Sequence, residues 1–170
     1  QVKNNVIDAV VIATSYGMYC GYFNGKIWHN TINIKGTATV YGIFRTGIPT
    51  NSVFEVKNNI ILTTGTSDYP IYLSTAFSTA SDDIDANDMH GNANVGYAGG
   101  AKATISAWQS TVTTDHSSVS VLPTFVKEGE FDLMDSTDLR VAALSDVPTD
   151  ITGLVRDTIT TMGAYQYYDR

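Results

Sequence analysis

The stretch Glu55-Val-Lys-Asn-Asn-Ile-Ile-Leu-Thr-Thr-Gly65 sets two asparagines against three aliphatic residues in what otherwise reads as a β-strand. Asparagine is depleted in strands, so Asn58 and Asn59 need a reason, and repetition supplies it. Val2-Lys-Asn-Asn-Val-Ile7, Ile27-Trp-His-Asn-Thr-Ile32, Val56-Lys-Asn-Asn-Ile-Ile61 and Ile84-Asp-Ala-Asn-Asp-Met89 all read apolar, x, x, Asn, x, apolar. The shared asparagines are Asn5, Asn30, Asn59 and Asn87, in steps of 25, 29 and 28 residues. A second landmark keeps time with the first three: Tyr16-Gly-Met-Tyr19, Tyr41-Gly-Ile-Phe44 and Tyr69-Pro-Ile-Tyr72, at 11, 11 and 10 residues after the asparagine.

A period of 25–29 residues with short apolar runs and no amphipathic helix excludes two-helix repeats, and the leucine ladder of leucine-rich repeats is missing. A β-sandwich with Asn-Asn hairpin turns would have no reason to hold two landmarks in register. The pattern predicts an all-β parallel solenoid in which each unit is a coil of about three short strands, stacked at ~4.8 Å. The repeated asparagine sits at a bend, where it tolerates the left-handed conformation and bonds backbone. Stacked coil on coil, its amide bonds the next amide. Asn59 thus reads as a corner, with Ile60 and Ile61 opening the next strand.

Composition agrees. The chain has 170 residues, enough for one domain, and only 16% are charged; hydroxyls and amides fill the deficit, as in secreted β-rich proteins. The net charge of −7 argues against nucleic acid, which needs clustered Lys and Arg. No apolar run approaches the ~18 residues of a membrane span. The single cysteine, Cys20, forms no internal disulfide and reads as a small buried residue.

The coils resemble the right-handed parallel β-helix proteins of the pectate-lyase-like superfamily. Asp115-His-Ser-Ser118, Leu122-Pro-Thr-Phe-Val126, Asp150-Ile-Thr-Gly-Leu-Val-Arg156 and Met162-Gly-Ala-Tyr-Gln-Tyr167 follow one another as in the C-terminal portion of secreted or surface-attached Bacteroidetes-like members. Those end in D-x-x-G-x-x-R … G-A-Y-E-Y; here Gln166 stands for the acid, and the S-P-A-I-x-x-G segment expected before Asp150 has no counterpart in Ala142–Pro148. The resemblance implies a right-handed β-helix with an irregular C-terminal capping segment, in a secreted or cell-surface protein associated with polysaccharide. It acts either as scaffold and glycan-contacting surface, or as a polysaccharide lyase or glycoside hydrolase whose active face is shared with further N-terminal coils.

The expected organisation within one domain is coils over 1–90, an irregular excursion over 91–126 and a closing segment over 127–170. Within the excursion Thr104–Ser110 predicts a short helix capped by Thr104 or Ser106, with Trp108 as apolar anchor, and Pro123–Val126 a returning strand. Gly163–Tyr167 reads as a strand lying on the tube. The closing segment is expected to cap one end. The other end, where Gln1-Val-Lys-Asn-Asn begins inside a coil motif without initiator methionine, is expected to be met by earlier coils of the parent chain, by another chain or by a copy of itself.

Candidate chemistry falls in four places. Asp82, Asp83, Asp85 and Asp88 crowd enough oxygens for Ca²⁺, though without EF-hand spacing; a solvated turn is the plain alternative. Asp85 and Asp88 are also candidate acid/base carboxylates. The resemblance implies that a lyase would use Arg or Lys beside calcium, which points to Arg45, Lys57 and Lys3; Lys3 and Lys57 share one slot, with Trp28 between. His29 is expected to face outward and His90 to lie in a loop. Asp115-His116-Ser117 reads as a turn network, since a catalytic triad is assembled in space. The aromatics form the fourth place: Tyr16, Tyr19, Tyr22, Tyr41 and Tyr69 fall at or near repeat positions, and Tyr16, Tyr41 and Tyr69, if they stack outside, make a platform for sugar rings.

Overall fold

The computed structural model describes residues 1–47, 53–74, 82–127, 129–135 and 137–167. Its body is a parallel β-solenoid of about three turns. Coil 1 comprises β1 (Val2–Lys3), β2 (Val6–Val11) and β3 (Ser15–Gly21). Coil 2 comprises β4 (Gly25–Trp28), β5 (Thr31–Gly36) and β6 (Thr39–Thr46). Coil 3 comprises β7 (Phe54–Lys57), β8 (Ile60–Thr64) and β9 (Ser67–Leu73). The last tier is β10 (Asp82–Asp85), β11 (Asp88–Gly91) and β12 (Gly96–Ala98). Like strands pair in parallel into three sheets, β1-β4-β7-β10, β2-β5-β8-β11 and β3-β6-β9-β12. The stacking therefore runs past residue 90, to Ala98.

Register places like over like. Ile27, Val56 and Ile84 form one inward column, Ile32, Ile61 and Met89 a second, and all are fully buried. Burying each such side chain stabilises by about 1.5–3 kcal/mol. The column of Ile43 and Ile71 ends at Gly96. A Cβ there would lie 2.5 Å from Cζ3 of Trp108, so the indole takes the place of the missing side chain. Trp108 sits on α1 (Ile105–Gln109), which follows β13 (Ala101–Lys102) and is capped by Thr104, whose Oγ1 accepts the Ala107 N–H at 3.2 Å. The excursion thus plugs the downstream end of the tube.

The asparagines form an unbroken ladder at the bend between the first and second sheets. Nδ2 of Asn5 donates to Oδ1 of Asn30 at 2.9 Å, Asn30 to Asn59 at 3.0 Å, and Asn59 to Asn87 at 2.9 Å. Each Oδ1 after the first also accepts the backbone N–H of the asparagine one coil upstream. The left-handed residue is the one before the ladder asparagine: Asn4, His29, Asn58 and Ala86 have φ of 54°, 50°, 58° and 56°. The ladder amide needs ordinary backbone to point along the tube, and its neighbour makes the turn.

The closing segment departs most from expectation. β14 (Phe125–Lys127) and β15 (Glu130–Leu133) form an antiparallel hairpin. A 3₁₀ turn at Thr137–Leu139 then leads to β16 (Arg140–Ala142), which pairs with β17 (Ile159–Thr161). The segment 140–167 runs along the flank over the left-handed corner. Asn4 Nδ2 donates to Thr149 O, Asn58 Nδ2 to Ala142 O, and the Gly163 N–H to Asn58 O. Residues 163–167 lie on the tube, as expected, but form no strand.

Candidate functional site

The third sheet carries two aromatic columns on its outer face. Tyr16, Tyr41 and Tyr69 are in register, and so are Tyr19, Phe44, Tyr72 and Tyr97. Residues three apart share one face because the strand turns between them at Gly17, Gly42 and Pro70. A Cβ on Gly42 would lie 2.3 Å from Ile61 Cγ2 and 2.5 Å from the Pro70 carbonyl, which fixes glycine there.

Within columns the rings stack: Tyr16–Tyr41 at 5.0 Å and 9°, Tyr41–Tyr69 at 5.7 Å and 15°, Tyr19–Phe44 at 5.5 Å and 17°, Phe44–Tyr72 at 5.0 Å and 13°, Tyr72–Tyr97 at 4.2 Å and 12°. Between columns they meet edge to face at 5.0–6.0 Å. The result is a seven-ring herringbone, each pair worth about 0.5–1.5 kcal/mol beyond its burial.

Tyr16, Tyr41 and Tyr69 do stack on the outer face, but the stacking itself covers ring faces. Tyr41, Phe44 and Tyr72 each have a stacked neighbour on both faces, so the strip offers edges and hydroxyls along its middle. Free faces remain at the first coil, where Tyr16 and Tyr19 are 42% and 62% exposed. Burial first, then the neighbouring phenols, raises the Tyr41 and Tyr72 pKa values above the ordinary tyrosine value, so these hydroxyls stay protonated at neutral pH. Tyr22, also exposed, lies on the turn after β3 and outside the columns.

The second column was legible in part, since Tyr19, Phe44 and Tyr72 close the repeated landmark. Tyr97 escaped because its unit, Asn94-Val-Gly-Tyr97, has lost the leading tyrosine.

The four aspartates of the acidic cluster do not converge. Strand alternation in β10 turns Asp82 inward, where it binds Arg45 at 2.6 Å with both side chains buried and the guanidinium 4.3 Å from the Phe54 ring centre. Asp83 faces out and pairs with Lys57 at 2.5 Å. Asp85 Oδ1 accepts the His116 and Ser117 N–H groups. Asp88 is buried and accepts the Val121 N–H; burial pushes its pKa up to about 8. Among the described residues, no three His, Cys, Asp or Glu side chains gather to hold a metal. Lys3 and Lys57 do share a register slot with Trp28 between, and Lys3 Nζ donates to the Asp146 carbonyl.

His29 is fully buried rather than outward-facing, because the closing segment covers it. Nε2 lies 3.1 Å from Asn58 Nδ2. Burial and then Arg156 lower its pKa to about 3. His90 is half-buried at the outer face of β11. Asp115 holds a turn, accepting Trp108 Nε1 at 2.7 Å and the Ser118 N–H at 3.0 Å.

The residues that carried the family resemblance are architectural. Asp150 accepts N–H groups from Thr152, Leu154 and Gln166. Arg156 reaches the Gly163 and Ala164 carbonyls and Asn4 Oδ1. Together they latch the closing segment onto the corner. Comparison of the chain with protein families, curated proteins and solved structures gives no match.

Proposed function

We propose that the chain is a rigid, non-catalytic β-solenoid module of a secreted or surface-attached bacterial protein of the pectate-lyase-like type, and that it contacts polysaccharide through the phenol strip. The observation that carries this reading is the strip itself. Six tyrosines and one phenylalanine are held in fixed register on one outer face, so hydroxyls are presented at the coil repeat with little side-chain freedom left to lose on binding. The candidate acids and bases support the scaffold reading in a second way, because Arg45, Lys57, Asp82 and Asp83 are engaged with one another and Asp85 holds a turn.

The test is binding to pectin, alginate and glycosaminoglycans by affinity electrophoresis, with and without Ca²⁺. Phe44 shows that the columns accept a ring without a hydroxyl, so Tyr41→Phe, Tyr69→Phe and Tyr72→Phe together leave the herringbone intact. Each lost hydrogen bond weakens binding by about 1 kcal/mol, and the triple variant is expected to bind at least ~10-fold more weakly. Binding indifferent to all three substitutions would remove the strip from the reading. Release of unsaturated uronates or new reducing ends would replace the scaffold with an enzyme.

A further inference from the structure

The tube is plugged downstream and open upstream. Val2, Ile7, Ala9 and Met18 occupy the same inward columns as Ile27, Ile32, Ile34 and Ile43, yet are only half-buried where their coil 2 partners are buried. With Phe23, the side chains of Val2, Ile7 and Met18 line an apolar mouth of about 380 Å³. The edges of β1, β2 and β3 border it, each strand pairing, among the described residues, only with coil 2. An edge of this kind templates further strand pairing.

The asparagine ladder says what fits there. It is polar: each Nδ2 donates to the Oδ1 one coil downstream, and each Oδ1 accepts from the coil upstream. Asn30, Asn59 and Asn87 each receive a backbone N–H and an Nδ2 on Oδ1 from the coil above. Asn5 Oδ1 receives no hydrogen bond from the described residues. Whatever covers coil 1 must therefore present donors. A second copy docked mouth to mouth presents Oδ1 against Oδ1. A second copy docked tail first is blocked, because Ser118 and Val119 already occupy the face below Asn87 and Trp108 plugs the tube.

We propose that the mouth is the docking site for a parallel β-solenoid coil whose uncapped downstream face carries an asparagine over Asn5. This interface continues the contact already made between coils 1 and 2. It is independent of the polysaccharide reading, since the added coil would cover the free faces of Tyr16 and Tyr19 and leave the hydroxyl edges open.

Residues 2–26 form one repeat period, because Val2 is in register with Ile27. Duplicating that segment directly ahead of Val2 supplies a probe coil in the native register, in the full chain. Hydrogen exchange of the β2 amides is the readout. Protection of Val6–Val11 is expected to rise at least ~10-fold, and Asn5→Asp in the duplicated copy, which replaces the donor by an acceptor, is expected to abolish most of that gain. An appended segment that exchanges like a free peptide and leaves β2 unchanged would overturn the proposal. So would equal protection from the Asn5→Asp copy, or an unextended chain that dimerises with β2 already protected.

Discussion

Replacing Asn59 by leucine tests the ladder at a fully buried rung. The side chain is fully buried and its shape is nearly that of leucine. Its Oδ1 accepts the Asn30 N–H at 2.9 Å, the sole hydrogen bond for that donor among the described residues, and its Nδ2 reaches Ile27 O, Lys57 O and Asn87 Oδ1 at 2.9–3.0 Å. Leucine leaves the Asn30 N–H without an acceptor, while the Ile27 carbonyl loses one donor but keeps its place in the parallel β4–β7 ladder. The Lys57 carbonyl keeps the His29 N–H, and Asn87 Oδ1 keeps its bond from the residue 59 backbone. A buried polar group left unpaired costs about 1–3 kcal/mol, so the orphaned N–H, with a second donor lost at Ile27, places the loss at about 2–3 kcal/mol. With a urea dependence of about 2 kcal/mol per molar, the unfolding midpoint should fall by about 1–1.5 M. Asn5→Leu is the control, because Asn5 is exposed and Asn30 Oδ1 keeps the residue 5 backbone N–H; its cost should stay below about 1 kcal/mol. Equal midpoints for the two variants would refute the reasoning.

Other predictions follow from single residues. The folded pKa of His29, about 3, lies below its unfolded value near 6.5, so its neutral form contributes stability above pH 6.5 that is lost as pH falls towards 3. Between pH 7 and 5 that loss is about 2 kcal/mol, and His29→Asn, matching Asn4 and Asn58 at the left-handed position, should flatten the decline in urea titrations at the two pH values. Asp88 behaves oppositely: its raised pKa means stability present below the unfolded carboxylate value near 3.8 and lost as pH rises through about 8. Asp88→Asn should therefore raise the melting temperature more at pH 8 than at pH 4. Asp82→Ala leaves the Arg45 guanidinium buried without its carboxylate and should cost about 3–5 kcal/mol, while Arg45→Leu with Asp82→Leu should cost less than that single change. Gly42→Ala forces a Cβ into the Pro70 carbonyl and Ile61, and its melting temperature should fall well below that of Gly99→Ala, where nothing lies within 4 Å.

The solenoid was legible because two landmarks kept one period, and the capped helix at Thr104 because its side chain suits that role. The left-handed corner was less so, since Ala86 is a poor left-handed former and takes that conformation in register with Asn4, His29 and Asn58. The path of 140–167 was hidden for a different reason. It depends on side-chain hydrogen bonds from Asn4, Asn58 and Arg156 that span 84 to 152 residues, and no local pattern encodes them. The acidic cluster held a readable clue, because alternation in Asp82-Asp83-Ile84-Asp85 separates neighbouring carboxylates to opposite faces. The tyrosines were found by position, but which of their faces are covered depends on ring tilt, which register alone does not give.

The most direct measurement of the stacked-rung arrangement is the network of NMR contacts among the asparagine side-chain amides. The Nδ2 protons of Asn5, Asn30 and Asn59 should each show contacts to the ladder residue 25, 29 or 28 positions later, with Asn30 and Asn59 protected from solvent exchange. Freely exchanging amides that touch only their sequence neighbours would contradict it.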